Sequence, residues 1–183
     1  MRLRMRQQDW RDVLLVDGYN MIGAWHELKQ LADRRLEDAR DCLLDNLADY
    51  QAYSDRRVIA VFDAYRVSGL GATYTQGKIE VCFTKEKETA DECIERLVKE
   101  LSHRRRRIYV ATSDMTEQRV VLGFGALRIS ARELRLIVEQ SRREVESRIR
   151  EHALQPVKRN PLEGKLSLDQ LLKLERIRRG EEN

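Results

Sequence analysis

The segment LLVDGYNMIG, residues 14–23, places an aspartate directly after an apolar run. Leu14, Leu15 and Val16 are the residue types that form a buried strand. A carboxylate buried beside such a strand loses roughly several kcal/mol of solvation unless it is paired or binds a metal ion. Asp17 is therefore expected either to pair with another group or to bind a metal ion.

Three other short runs share the composition of this strand. Together with residues 13–16 (VLLV), they are rich in β-branched and aromatic residues, and they lie at residues 58–62 (VIAVF), 79–83 (IEVCF) and 108–111 (IYVA). Helical patterns separate most of the runs. This alternation predicts an α/β fold in which crossover helices connect the strands of a parallel sheet.

Longer helices are indicated by periodicity and by capping residues. Residues 35–53 predict an amphipathic helix, because one stripe of that helix holds Leu36, Ala39, Leu43, Leu47 and Tyr50. Capping boxes open two further helices, one over residues 89–101 and one that runs to about residue 154. Their residues are Thr89 with Glu92 and Ser130 with Glu133.

Composition excludes several classes of protein. The chain has 183 residues, of which 42% are hydrophobic, enough for one compact domain with an appendage. No apolar run approaches the roughly 20 residues of a membrane span. The N-terminus carries arginines but lacks the apolar stretch of a signal peptide. We therefore expect a cytoplasmic protein with no membrane partner.

Cysteines and histidines are few and scattered. An odd number of cysteines without a CxxC pair predicts free thiols in a reducing cytosol. The separation of the histidines argues against a zinc site, and also against a nuclease that uses two histidines as acid and base. These residues are Cys42, Cys82, Cys93, His26, His103 and His152.

The formal net charge is +4, from 35 Lys and Arg against 31 Asp and Glu, and the excess lies in residues 128–183. A basic bias suits a polyanionic partner. Charge alone, however, favours the simpler interpretation of an ordinary solvated helix surface. The run HRRRR at residues 103–107 has the same two interpretations, a nucleic-acid contact or a solvated loop.

Aspartates follow three of the predicted strands. Asp17, Asp63 and Asp114 come after VLLV, VIAVF and IYVATS, while Asp91 lies in the first turn of the helix that Thr89 caps. Ligands of parallel sheets bind beyond the carboxyl ends of the strands, so these side chains are expected to converge. Four carboxylates repel one another unless hard cations neutralise them, and oxygen ligands favour Mg²⁺ or Mn²⁺.

Each of these aspartates also has an ordinary explanation. Asp17 could close an Asx turn, Asp63 could start a loop, Asp114 could be a helix N-cap and Asp91 could complement a helix dipole. Three aspartates at strand ends together nevertheless favour a metal site. Asn20 fits either a turn residue or a group that orients the Asp17 carboxylate or an attacking water.

Five segments then carry a resemblance to a known family. VDGYNMIGAW, VFDA, FTKEKETADE, VATSDMTEQ and GFGALRISARELR occur in the order and spacing of the NYN branch of the PIN-like nucleases, and within it resemble the YacP-type group. The resemblance implies a three-layer α/β/α PIN-like domain with a mostly parallel central sheet over residues 12–150. A basic helical C-terminal extension would follow over residues 151–183.

The same resemblance implies an activity and a site. The YacP-type proteins are ribosome-associated mRNA endonucleases, so mRNA and the ribosome are the implied partners and Mg²⁺ or Mn²⁺ the implied cofactor. Their catalytic residues correspond to Asp17, Asn20, Asp91 and Asp114, and Asp63 is added as a metal ligand. A metal-activated water would attack the phosphodiester in line.

Several residues near the predicted crevice could hold RNA. Residues 64–78 form a long Gly-containing connection, which is either functional or a tolerated surface excursion. Tyr65 and Tyr74 in that connection could stack on bases or pack the loop. The predicted RNA contacts, each with an ordinary surface or capping role as the alternative, are Arg66, Lys78, Lys85, Lys87 and Ser113.

Three other interpretations compete with the nuclease. A non-catalytic RNA- or ribosome-binding module could share the fold. A haloacid-dehalogenase phosphatase would need a second aspartate two residues after Asp17, where Tyr19 stands. A dinucleotide-binding domain is disfavoured, because GFG at residues 123–125 follows a helical pattern rather than a strand, and the sequence contains no P-loop.

Overall fold

The computed structural model describes residues 10–64, 73–76, 79–85, 87–114, 123, 125–154 and 173. The chain divides into two units, residues 1–145 and 146–183. The first unit contains the sheet, and the described residues of the second, 146–154 and Lys173, are helical. Within the described ranges, no helix combines the length and the apolar composition needed to cross a bilayer.

Six strands form one sheet in the order β3-β4-β2-β1-β5-β6. Neighbouring strands run parallel except for the antiparallel pair β3–β4 at one edge. The strands are β1 Val13–Asp17, β2 Arg57–Phe62, β3 Thr73–Gln76, β4 Ile79–Phe83, β5 Ile108–Ala111 and β6 Leu127–Ile129.

Helices cover both faces of this sheet. They are α1 Gly18–Ala24, α2 His26–Ala32, α3 Leu36–Ser54, α4 Ala90–Leu101 and α5 Ala131–Leu154. Successive strand residues point to opposite faces, so Leu14 and Val16 pack with α1, α2, α3 and the start of α5, whereas Val13 and Leu15 pack with α4. This arrangement confirms the predicted three-layer α/β/α fold.

The central position of β1 explains its composition. Its four apolar residues are fully buried, and each buried side chain contributes roughly 1.5–3 kcal/mol relative to exposure. β1 lies between β2 and β5, with Val16 opposite both Ala60 and Ala111. Because both faces of β1 are covered by helices, a continuous apolar run rather than an alternating one specifies this strand.

The predicted strands and helices are confirmed, with ends that differ by one or two residues. Both capping boxes are present: Glu92 N–H donates to Thr89 Oγ1 at 3.2 Å, and Glu133 N–H donates to Ser130 Oγ at 3.2 Å. In each box the glutamate also accepts from the backbone N–H of the capping residue. Local sequence therefore sets where these two helices begin.

One local prediction is wrong, and one strand was not predicted. Residues 64–78 are not one continuous connection, because Thr73–Gln76 forms β3 and pairs with β4. The exposed edge of β4 offers unpaired backbone groups that a short threonine-rich segment can satisfy. The short strand β6 is also missing from the sequence prediction, since only Ile129 of its three residues is buried. Residues 65–72 and 77–78 lie outside the described residues.

Candidate active site

Asp17 ends β1 and at the same time caps α1. Its carboxylate Oδ1 accepts a hydrogen bond from the backbone N–H of Asn20 at 3.1 Å, the geometry of a helix N-cap. DGYN is therefore the start of a helix and not an isolated turn. The Asp17 residue is only 7% exposed, so the carboxylate is held at the boundary between the sheet and the helix.

The other predicted acids lie close enough to Asp17 for their charges to act on it. The pKa of Asp17 is raised to about 6: burial raises it most, the Asn20 N–H lowers it, and the negative charges of Asp91, Asp114 and Asp63 raise it. Such mutual repulsion requires the four carboxylates to lie in one region. The structure therefore brings together the four aspartates that the sequence places after strands and at the start of α4.

Sheet topology explains this convergence. The chain crosses from β1 to β2 on one side and from β4 to β5 on the other, so the carboxyl ends of β1 and β5 flank a switch point. Asp17 is the last residue of β1, and Asp114 follows the end of β5 by three residues. Open α/β sheets bind their ligands in this crevice.

Asn20 links the two sides of the crevice. Its side-chain Oδ1 accepts a hydrogen bond from the backbone N–H of Ser113 at 2.8 Å, across 93 positions of sequence. Thr112, which is fully buried, accepts from the Asp114 N–H at 3.1 Å through Oγ1. Two side chains, those of Asn20 and Thr112, thus fix the backbone of Ser113 and Asp114.

Asp91 lies in the first turn of α4, where the capping box of Thr89 fixes the backbone. Burial raises the pKa of Asp91, and Asp114, Glu95 and Glu92 raise it further. Glu95 is an acid that the sequence analysis did not single out. Its spacing of four residues from Asp91 places both on one side of α4 and is the signal that could have found it.

Asp63 is half-buried at the end of β2, and its neighbours are tied to β4. The Ala64 N–H donates to Thr84 Oγ1 at 2.9 Å, and the Thr84 N–H donates to the Phe62 carbonyl at 3.0 Å. Thr84 is fully buried, so this clamp is shielded from water. The ends of β2 and β4 are held together beside the acidic residues.

Gly18 allows α1 to pack closely on the sheet. A Cβ atom at this position would lie 2.1 Å from Cε1 of Phe62, far inside van der Waals contact. Phe62 is fully buried, so its ring has little room to move. The glycine of DGYN is therefore required by packing next to Asp17.

The predicted RNA contacts divide into described and undescribed residues. Lys85, Lys87 and Ser113 are exposed. Arg66 and Lys78 lie outside the described residues, as does Tyr65, and only the backbone of Tyr74 is described. The Lys85 N–H donates a hydrogen bond to the Glu88 carboxylate, which also accepts from the Arg96 guanidinium at 2.9 Å. Glu88 therefore ties the segment that precedes α4 to the helix itself.

The acidic cluster fits a hydrated cation better than a dehydrated one. Within the described residues, no three His, Cys, Asp or Glu side chains are close enough to chelate a metal ion together. Burial is the main cause of the raised pKa of Asp17, and the negative charges of Asp91, Asp114 and Asp63 add to it. Mg²⁺ keeps several of its waters and binds proteins through one or two carboxylates, so this all-oxygen donor set suits it.

Comparisons with known proteins agree with this architecture. The family model of the YacP-like NYN domain matches residues 14–179. The protein YacP of Bacillus subtilis (strain 168) is 55% identical over 139 residues, which cover 76% of this chain and 82% of the relative.

Two crystal structures of Rae1 (YacP) from Bacillus subtilis are also similar. One is 49% identical, with a TM-score of 0.71, and the match covers 93% of this chain and 96% of that chain. The other, of a tryptophan-to-leucine mutant, is 50% identical with a TM-score of 0.71 and covers 80% and 86%. The chain belongs to the YacP-like NYN domain family, and this membership indicates a nuclease-like function related to RNA.

Proposed function

We propose that this protein is a Mg²⁺-dependent endoribonuclease that cleaves mRNA in association with the translating ribosome. The observation that carries the proposal is the burial of Asp17 among three other carboxylates, which raises its pKa to about 6. A site that concentrates negative charge in this way is costly unless a cation offsets the repulsion.

One or two of Asp17, Asp91 and Asp114 would bind the cation directly, and the others, with Asp63 as a further candidate, would bind it through its coordinated waters. When bound, Mg²⁺ supplies a Lewis acid that polarises the phosphodiester and lowers the pKa of a coordinated water. Mn²⁺ has the same preference for oxygen ligands and is expected to substitute. The aspartates hold and orient the reacting groups and need not accept the proton themselves.

Asn20 takes a positioning role in this scheme. Its Oδ1 accepts from the Ser113 N–H, so it acts by holding the segment that bears Asp114 against the N-terminus of α1. Lys85, Lys87 and Ser113 are exposed and are proposed to contact RNA phosphates. The choice of RNA, and of the ribosome as partner, is supported by the family and not by the acidic residues.

The reaction has a defined outcome at the cleaved bond. In-line attack of water on phosphorus breaks the bond to the 3′ oxygen, which leaves and takes a proton. The products then carry 5′-phosphate and 3′-hydroxyl ends. Ligation of adaptors that require a 5′-phosphate would detect them, whereas cyclic phosphate ends would contradict the mechanism.

Cleavage of mRNA on translating ribosomes tests the function. The wild-type protein should cut the message in Mg²⁺, and Asp17→Asn should lower the rate by at least about 100-fold. Asp45→Asn removes an exposed acid of α3 and serves as the matched control, with unchanged activity. Ribosome binding without cleavage by the wild type would favour the non-catalytic module.

A further inference from the structure

A compact basic turn lies at the end of the sheet where the parallel strands begin, opposite the end that carries the acidic site. Residues 103–107 (HRRRR), here called the basic turn, connect α4 to β5 and therefore lie where the parallel strands begin. The Arg106 N–H donates to the His103 carbonyl at 3.1 Å, which closes a β-turn with Arg104 and Arg105 at its tip. The turn thus presents two adjacent guanidinium groups from an ordered backbone.

Aromatic rings lie next to the first and the last residue of this turn. The Trp10 and His103 ring centroids are 4.2 Å apart, and Trp10 is 41% exposed. The Arg56 guanidinium lies 4.2 Å from the centroid of the Tyr109 ring, and the Arg107 guanidinium lies 6.0 Å from it. The Trp10 ring contacts His103 and the Tyr109 ring contacts two guanidinium groups, whereas the exposed side chains at the tip of the turn are the guanidinium groups of Arg104 and Arg105.

Acidic residues offset only part of this charge. Asp12 binds Arg107 through Oδ2 at 2.9 Å and accepts its backbone N–H through Oδ1. Arg104 and Arg105 are exposed and make no ion pair with any described residue. Other acids near the starting ends of the strands include Asp55 and Glu100. Glu100 is already paired with Arg96 at 3.5 Å. The tip of the turn therefore remains positively charged.

Distance separates the basic turn from the acidic site. The two ends of β1, Val13 and Asp17, are four residue steps apart, which is about 13 Å at 3.3 Å per residue, and the turn lies beyond the Val13 end. A phosphate bound at the tip of the turn would therefore be several nucleotides away from a phosphate bound by the aspartates. The two sites would contact different segments of RNA or different RNA molecules.

We propose that the basic turn binds the phosphate backbone of double-helical RNA. Arginine presents a planar fork of donors that matches a phosphate with two hydrogen bonds, which lysine does not. Base-paired RNA carries phosphates on a rigid surface, and an ordered turn with occupied rings suits this backbone better than it suits unstacked bases. The proposal rests on the proposed function only in taking RNA as the partner, since it requires neither Mg²⁺ nor cleavage.

Binding of an RNA duplex tests the proposal. The full chain is titrated with a fluorescent blunt duplex of about 20 base pairs, in EDTA and at several salt concentrations. The double variant Arg104→Gln/Arg105→Gln should bind about tenfold more weakly, and the dependence of log K on log salt should fall by about 1–2. Arg104→Lys/Arg105→Lys keeps the charge and should lie between this variant and the wild type.

Lys29→Gln/Arg34→Gln is the matched control, because it removes the same charge from two exposed residues elsewhere. An affinity unchanged in the Arg104→Gln/Arg105→Gln protein, or an equal loss in the control, would overturn the proposal. Asp17→Asn should keep duplex binding while cleavage is lost. If the wild type never cleaves yet duplex binding depends on the turn, the nuclease proposal fails and this one stands.

Discussion

The side chain of Asn20 accepts a hydrogen bond from the backbone of Ser113 at 2.8 Å, and this bond joins the first helix to the segment after β5. Asp17 caps the same helix and Asp114 follows Ser113, so one amide sets the relation between two carboxylates. The bond therefore fixes the position of the Asp114 segment relative to Asp17.

Replacing Asn20 should impair activity more than stability. Asn20→Ala removes the acceptor for the Ser113 N–H, which should cost about 1 kcal/mol of unfolding free energy. Displacement of Asp114 by even a fraction of an ångström should lower the cleavage rate on ribosome-bound mRNA by about 10–100-fold. Asn46→Ala, which removes an amide from α3, is the control and should keep full activity. Equal rates for the two variants would rule out the positioning role.

The raised pKa of Asp17 predicts a stability that depends on pH. The pKa is about 6 in the folded protein against the ordinary aspartate value of 3.8, so the folded state holds more protons between these limits. Stability should therefore fall as the pH rises from about 4 to about 6, and the penalty should persist at neutral pH.

Asp17→Asn should remove this penalty, because asparagine still caps α1 but carries no charge. We expect the variant to be more stable than the wild type by about 1–3 kcal/mol at pH 7, with little difference below about pH 4. Urea unfolding at a series of pH values measures both. A variant less stable at pH 7 would show that the carboxylate is already neutralised within the protein.

Divalent cations should stabilise the wild type by relieving the same repulsion. Addition of Mg²⁺ in excess over its dissociation constant should raise the unfolding midpoint by a few degrees, and EDTA should reverse the effect. Asp17→Asn should show a smaller shift, whereas Asp45→Asn should behave as the wild type. Identical shifts in the wild type and Asp17→Asn would place the cation away from this residue.

Gly18 should resist substitution for reasons of packing. Gly18→Ala would force its Cβ into the Phe62 ring, and we expect a loss of about 1–3 kcal/mol or more of unfolding free energy. Gly23→Ala, in the same helix, meets no atom within 4 Å and should be neutral or stabilising by up to about 1 kcal/mol. Thermal or urea unfolding of the two variants compares them directly, and similar losses would contradict the packing argument.

Part of the fold could be predicted from local sequence. The apolar run before Asp17 predicts β1 because both faces of that strand are buried, and the capping boxes at Thr89 and Ser130 predict helix starts because their hydrogen bonds span three residues. β3 and β6 were missed because edge strands have weak apolar patterns and depend on a neighbour for their hydrogen bonds.

Local sequence is enough to predict which aspartates follow strands, since strand type and strand end are local properties of the chain. The effect of Asp63, Asp91 and Asp114 on the pKa of Asp17 depends instead on how the chain folds. The tertiary fold also determines that Asn20 bonds to Ser113 and that Gly18 lies against Phe62. The reason is physical: carboxylate repulsion, hydrogen bonding and packing depend on distances between residues far apart in the chain, which strand order and helix crossing set.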